Sequence, residues 1–216
     1  MTKETIDGKL LQEIIGNGGF RKLEMPQKKR TKDKIMTAAW ELFLSHGYEE
    51  TTISQIINAS NTSRSAFYHH FHGKEDLLFA IAYTYDTSYD LWYAKCNLSL
   101  HTIDQLIQFN KFVMTNLEDS SYADLYPSIY GLQVMTSVSR HILNQDRHYY
   151  KILRTLIKKG QEKGEIDATH SYAELTDMIA NMQIGLTYSW CLQQRRFSLI
   201  DYGQRLLNPF LETLRV

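Results

Sequence analysis

The stretch "TTISQIINASNTSRSAFYHHFHGKEDLL", Thr51 to Leu78, decides how this chain is read. Thr52 and Gln55 stand at capping-box spacing, where a threonine oxygen takes an orphan N–H of the first turn and the glutamine reaches back. Ile53, Ile56 and Ile57 then lie on one face. "SNTS" interrupts the pattern, and Ser63 is placed to cap a third short helix, "RSAFYHHF", with Ala66, Phe67 and Phe71 inward. Gly73 is expected to end it. Lys74-Glu75-Asp76 opens a longer helix with acids in its first turn, where the helix dipole favours them. Upstream, "TKDKIMTAAWELFLSHGY" offers Thr31 as N-cap and Ile35, Ala38, Ala39, Leu42 and Phe43 on one side. Gly47 follows where a left-handed C-terminal cap is wanted. Short helices in this order, the second and third joined by a tight turn, form a helix-turn-helix.

The third helix carries His69, His70 and, just beyond it, His72. A helical metal site wants histidines at i and i+4. Adjacent His69 and His70 point about 100° apart on a helix and cannot share an ion. Its outer face is Arg64, Ser65, Tyr68 and His69, with His72 and Lys74 beyond, all donors or cations. From Ser54 to Lys74 there is no Asp or Glu. Arginine can grip guanine at O6 and N7, and Ser, Tyr and His can reach phosphates or base edges. That chemistry suits a nucleic-acid surface. "PQKKRTKDK", Pro26 to Lys34, adds five basic residues against one acid in a chain whose 24 basic and 24 acidic residues otherwise cancel. Such a block either solvates a helix start or meets phosphate.

The Thr51–Leu78 stretch resembles the DNA-binding signature of the TetR/AcrR family of bacterial transcriptional regulators. Thr52, Ile56, Ser63, Tyr68, Phe71, Lys74, Glu75 and Leu77 fall on that signature without gaps, and "AAWELFLSHGYEETT" resembles its first helix. Five departures have physical readings, one being Ile57 for a small Ala, which sets the first and second helices a little further apart. Asn61 stands for a glycine and tolerates positive φ next best; Thr62 stands for a valine of similar shape; Ser60 and Ser65 stand for Ala and Gly. A serine at 65 adds a hydrogen bond or shifts the docking. The resemblance implies phosphate contacts from Thr52, Tyr68, His70 and Lys74, base-edge contacts from Arg64, Ser65 and His69, and backbone or minor-groove contacts from Lys28, Lys29 and Arg30. It implies a homodimer on a double-stranded DNA operator of palindromic form, a repressor released by a small organic effector. An architectural DNA-binding protein governed by a protein partner, with no small-molecule effector, is the alternative.

The rest reads as helix. The chain has three prolines, 43% apolar residues and little strand-type alternation, so an all-α fold is expected, the helix-turn-helix domain followed by a helical effector-binding and dimerisation domain. The boundaries read as 1–25, an extension (mobile, or a docking helix through Leu10, Leu11, Ile14 and Ile15); 26–78, the DNA-binding domain; and 79–216, the helical domain. "DLLFAIAYTYDTSYDLWYAKC" continues the fourth helix as a connector. Tyr89, Trp92, Phe109, Phe112, Tyr126, Tyr130 and Met135 are candidates to line a ligand pocket, with Tyr85, Met114 and Tyr149 of the same kind and Arg140 and His141 as polar anchors, although such residues also fill ordinary cores. Ser171 and Glu174 make a second capping box. The two C-terminal helices offer Met178, Met182, Gly185, Leu186, Leu206 and Phe210 for dimerisation or for intrachain core.

Several classes are set aside. Two cysteines without a CxxC do not make a disulfide framework or zinc site. No run approaches the ~20 apolar residues of a membrane span, and no signal-peptide core is present, so a cytoplasmic protein is expected. No nucleophile elbow, P-loop, HExxH or Gly-rich dinucleotide motif points to an enzyme, and no cofactor or metal is expected.

Overall fold

The computed structural model describes residues 27–135 and 140–216, with side chains from Thr31 onward in the first helix. Ten α-helices occur among the described residues, with two 3-10 turns and a single isolated bridge, Ile166 to Arg215. The fold is all-α. They are α1 Gln27–His46, α2 Ile53–Ala59, α3 Arg64–His70, α4 Lys74–Thr84, α5 Asp86–Lys95, α6 Thr102–Glu118, α7 Tyr126–Met135, α8 His148–Glu162, α9 Tyr172–Leu192 and α10 Leu199–Thr213. The segment 1–25, with Leu10, Leu11, Ile14 and Ile15, lies outside the described residues.

Local chemistry sets the head helices. Thr52 and Gln55 close a reciprocal capping box on α2, and Ser63 accepts from Ala66 N to start α3. The turn between them passes through Asn61 at φ 49°, the left-handed region that a short amide side chain tolerates. Gly47 takes φ 85° after α1. The two polar departures at the turn satisfy each other: Ser60 and Thr62 hydroxyls lie 2.8 Å apart.

Three sequence expectations are corrected. Thr31 does not cap the first helix, which already runs from Gln27; the Gln-Lys-Lys-Arg segment is made of good helix formers. Gly73 does not end α3, whose C-cap is Phe71 in extended backbone; Gly73 instead precedes α4. The connector is not one helix. It breaks at Tyr85 between α4 and α5, where Thr84 and Ser88 hydroxyls turn back onto the Ile81 and Tyr85 carbonyls. Such side-chain bonds compete with the helical ladder.

One core cluster runs from the head into the body. It joins Ile35, Phe43, Ile56, Phe67, Phe71 and Leu77 to Met114, Tyr126, Leu186, Trp190 and Leu207. Trp40 ties the parts: its Nε1 donates to Leu77 O at 2.8 Å, and its ring meets Tyr122 edge-on at 5.2 Å. A second cluster, with Trp92, Phe109, Leu153, Leu175 and Leu211, fills the far end. Helices α6 and α10 approach closely because Gly203 is buried against Met114: a Cβ built there would lie 1.8 Å from Met114 Sδ.

Gly203→Ala should therefore destabilise the protein by about 1–3 kcal/mol through overpacking. Urea denaturation would check it, and in a Met114→Ala background, itself destabilised by the lost core side chain, Gly203→Ala should cost less than it does in the native chain.

Candidate DNA-binding face and interior cavity

Helix α3 is seven residues long, far below the length at which a helix holds itself in water. Phe67 is fully buried and Phe71 nearly so, their rings 5.9 Å apart on the inner side. The opposite side is thereby presented. Arg64, Ser65, Tyr68 and His69 are all exposed on it, with Tyr68 at 47%. Arg64 lies 5.8 Å from the Tyr68 ring, a cation–π distance that lines the two up along the helix. His70 is half-buried, and its ring sits 4.9 Å from that of His69, edge to face. Thr52 is exposed at the start of α2, its hydroxyl donating to Gln55 Oε1 at 2.9 Å. Lys28, Lys29 and Arg30 belong to the first turns of α1, but their side chains lie outside the described residues.

Lys74 is placed differently from the phosphate role inferred for it. Its Nζ donates to the carbonyls of Tyr48, Glu49 and Thr51 at 2.9, 3.0 and 3.2 Å and lies 4.4 Å from the Tyr48 ring. An ammonium has three N–H donors, and here all three close the loop between α1 and α2. Lys74 is a positioning residue for the head. His72 stays exposed: its N–H donates to Asp76 Oδ2 at 2.7 Å and its Nδ1 lies 3.1 Å from the same oxygen, a local bond at the start of α4. No group of His, Cys, Asp and Glu suited to a metal occurs among the described residues.

In the body, a cavity of about 90 Å³ opens among α4, α5, α6, α7, α8 and α9. Six tyrosines wall it: Tyr85, Tyr89, Tyr126, Tyr130, Tyr149 and Tyr150. Burial raises the pKa of every one of these phenols, so they are neutral at physiological pH. Tyr85 OH lies 2.8 Å from Tyr126 OH and also meets Ser120; Tyr149 OH donates to Gln183; Tyr150 OH donates to Ile142 O at 2.9 Å. Arg147 is the only charged residue in the wall among the described residues. Its Nη2 donates to Ala82 O at 2.5 Å and Asp86 Oδ1 at 3.1 Å, while its buried Nε has no hydrogen-bond partner.

Of the residues proposed for a pocket, Tyr89, Tyr126 and Tyr130 meet at this cavity. Trp92, Phe109 and Phe112 do not line it. They are buried in the second cluster, where Phe109 and Phe112 contact the Tyr89 ring from behind. Met135 is 83% exposed at the end of α7, away from it. Arg140 is exposed, and His141 pairs its Nδ1 with Tyr83 OH at 2.7 Å; neither lines the wall. Arg147 and Gln183 were missed, since a basic residue before "HYY" and a glutamine in a long helix carry no distinctive pattern.

At the C-terminus, Leu186 is 4% exposed and belongs to the intrachain core, which removes it from the candidate dimer contacts; its helical phase points it at Gly203. Met178 and Leu206 are about 40% exposed, Gly185 is exposed, and Met182 and Phe210 are half-buried. Tyr188, Leu192 and Tyr202 are exposed alongside them, leaving an apolar strip on α9 and α10.

Lys74→Ala should lower the melting temperature of the protein and weaken DNA binding in parallel, since hydrogen bonds from a charged donor contribute about 1.5–3 kcal/mol. Tyr68→Phe should leave the melting temperature within error. Differential scanning fluorimetry beside DNA titrations separates the two.

Comparison with known proteins agrees with this geometry. The family described as "Bacterial regulatory proteins, tetR family" matches residues 35–81, from the middle of α1 through most of α4. The HTH-type transcriptional regulator QacR of Staphylococcus aureus is 22% identical over 184 residues, covering 82% of this chain and 96% of its own. The HTH-type transcriptional repressor BepR of Brucella suis is 23% identical, covering 86% and 92%. The TetR-family repressor FadR of Thermus thermophilus, solved with lauroyl-CoA, superposes with a TM-score of 0.69 at 18% identity, over 86% of this chain and 95% of that one. No helix among the described residues is long and apolar enough to cross a membrane. With its head motif matched and its all-helical architecture shared along nearly the whole length, the chain belongs to the TetR/AcrR family of bacterial transcriptional regulators.

Proposed function

We propose that this protein is a homodimeric repressor that grips a palindromic operator with paired α3 helices and is released when a small organic effector enters the tyrosine-walled cavity. The observation that carries the reading is the outer face of α3: four exposed donors on a helix whose inner side is locked by Phe67 and Phe71. Arg64, Ser65 and His69 read base edges. Thr52, Tyr68 and His70 take phosphates, with Lys28, Lys29 and Arg30 following the backbone nearby. The working units are 26–78 for DNA and 79–216 for effector and dimer, preceded by the 1–25 extension.

Dimerisation uses the strip on α9 and α10, with Met178, Met182, Gly185, Leu206 and Phe210 at its centre. A two-fold axis is what paired recognition helices need, because half-sites recur about one helical turn, ~34 Å, apart or a multiple of it. Response to an effector rests on Arg147, which borders the cavity and binds the last turn of α4 through Ala82 O. A ligand shifts the DNA-binding equilibrium only by its differential affinity for the two states, typically about 1–3 kcal/mol of coupling. The lauroyl-CoA of the Thermus FadR is far larger than the cavity here, so the ligand class of that relative is not carried over.

The test is fluorescence anisotropy of the full chain on the intergenic DNA upstream of its own gene, at two salt concentrations, against scrambled duplex. Tight, selective binding with two protomers per site is expected. Arg64→Ala should relax discrimination at particular base pairs, costing about 1–3 kcal/mol on the cognate site. Equal loss on cognate and scrambled DNA would remove Arg64 from base reading.

A further inference from the structure

We propose that the cavity takes a single-ring aromatic acid, its carboxylate received by the Arg147 guanidinium; this rests on reading the cavity as the effector site. Size sets the first limit. A cavity of about 150 Å³ is enough to hold benzene in an engineered protein, and the space here is about 90 Å³. One ring enters with a modest outward shift of the tyrosines. A fused polycycle or a long acyl chain does not.

Shape and surface set the second. Six phenol rings offer faces and edges to a flat aromatic guest, and their hydroxyls are mostly spent on Ser120, Gln183, Ile142 O and one another. The guest is therefore held by ring contacts, with few polar demands around its rim.

Charge sets the third. The phenols stay neutral, so the charge in the wall is that of Arg147. Asp86 pairs with Nη2 and partly offsets the guanidinium charge, but it does not line the cavity, so the unpartnered Nε–H of Arg147 is what favours an anion over a cation there. Tyrosine faces do attract cations, but a cation in so small a space sits beside a guanidinium. Arg147 Nε, buried and without a partner, is a donor awaiting an acceptor. A buried donor left unmade is costly, so an incoming carboxylate gains both a hydrogen bond and an opposite charge. The same guanidinium binds Ala82 O and Asp86 on either side of the Tyr85 break, so a ligand that draws it inward acts on the joint between α4 and α5.

Benzoate, benzamide and benzamidinium share one shape and differ in charge. Isothermal titration of the full chain without DNA should find benzoate bound at least about ten-fold tighter than benzamide, and benzamidinium not detectably bound. Arg147→Gln, checked for fold by circular dichroism, should reduce benzoate to the affinity of benzamide. The proposal is overturned if benzamidinium matches benzoate, if none of the three binds, or if Arg147→Gln leaves benzoate affinity unchanged. Should Arg147→Gln fail to fold, the three-compound series on the native chain decides alone. Because no DNA is present, failure to find an operator and failure to bind benzoate are separate results.

Discussion

A seven-residue helix has almost no stability of its own, and the DNA-binding head is organised around that constraint. Nucleation costs more than so few hydrogen bonds return, so α3 exists because Phe67 and Phe71 are buried beneath it and Ser63 satisfies its first turn. The turn before α3 depends on Asn61 accepting a left-handed conformation. The loop before α2 depends on Lys74, whose ammonium gathers three carbonyls from a segment more than twenty positions away. Rigidity is what such a face needs, since each side chain that must be ordered on contact with DNA subtracts from affinity.

The head was legible because its signals are local. A capping box on α2, a serine cap on α3, a positive-φ asparagine, a glycine after α1 and the alternation of inner and outer residues all act within a few positions, and each was found where the spacing put it. Some misses were local, as with Thr31, Gly73 and the break at Tyr85; the others depend on chain returning from afar. Lys74 has the composition of a phosphate ligand, and only the position of the Tyr48–Thr51 loop turns it inward. Leu186 fits the exposed stripe by spacing, but the close approach of Gly203 places it in the core. The cavity gathers residues from Ala82 to Thr187, and its one charged group, Arg147, sits at a loop end with no motif around it. The aromatic residues of the body were equally good candidates in sequence; burial behind Tyr89, rather than chemistry, separates Phe109 and Phe112 from the wall.

Helix α4 is where these two kinds of order meet. At its head end, Trp40 holds the Leu77 carbonyl and Lys74 holds the α1–α2 loop, so α4 is tied to the head at two points. At its other end the backbone leaves the helical ladder at Tyr85, and the last turn is secured instead by Arg147 on Ala82 O. A continuous helix through residue 95 would have spread any displacement over many packed side chains. A break places the change at one joint. Tyr85 itself stands in the cavity wall and shares its hydroxyl with Tyr126 on α7, so the joint is also part of the surface that a guest would touch. The break is slight: Tyr85 keeps right-handed helical backbone, Tyr89 N still donates to Tyr85 O, and the Thr84 and Ser88 hydroxyls bond the Ile81 and Tyr85 carbonyls beside it. The geometry thus concentrates adjustability between two well-packed regions, and the group that fixes the joint is the same group that gives the cavity its charge.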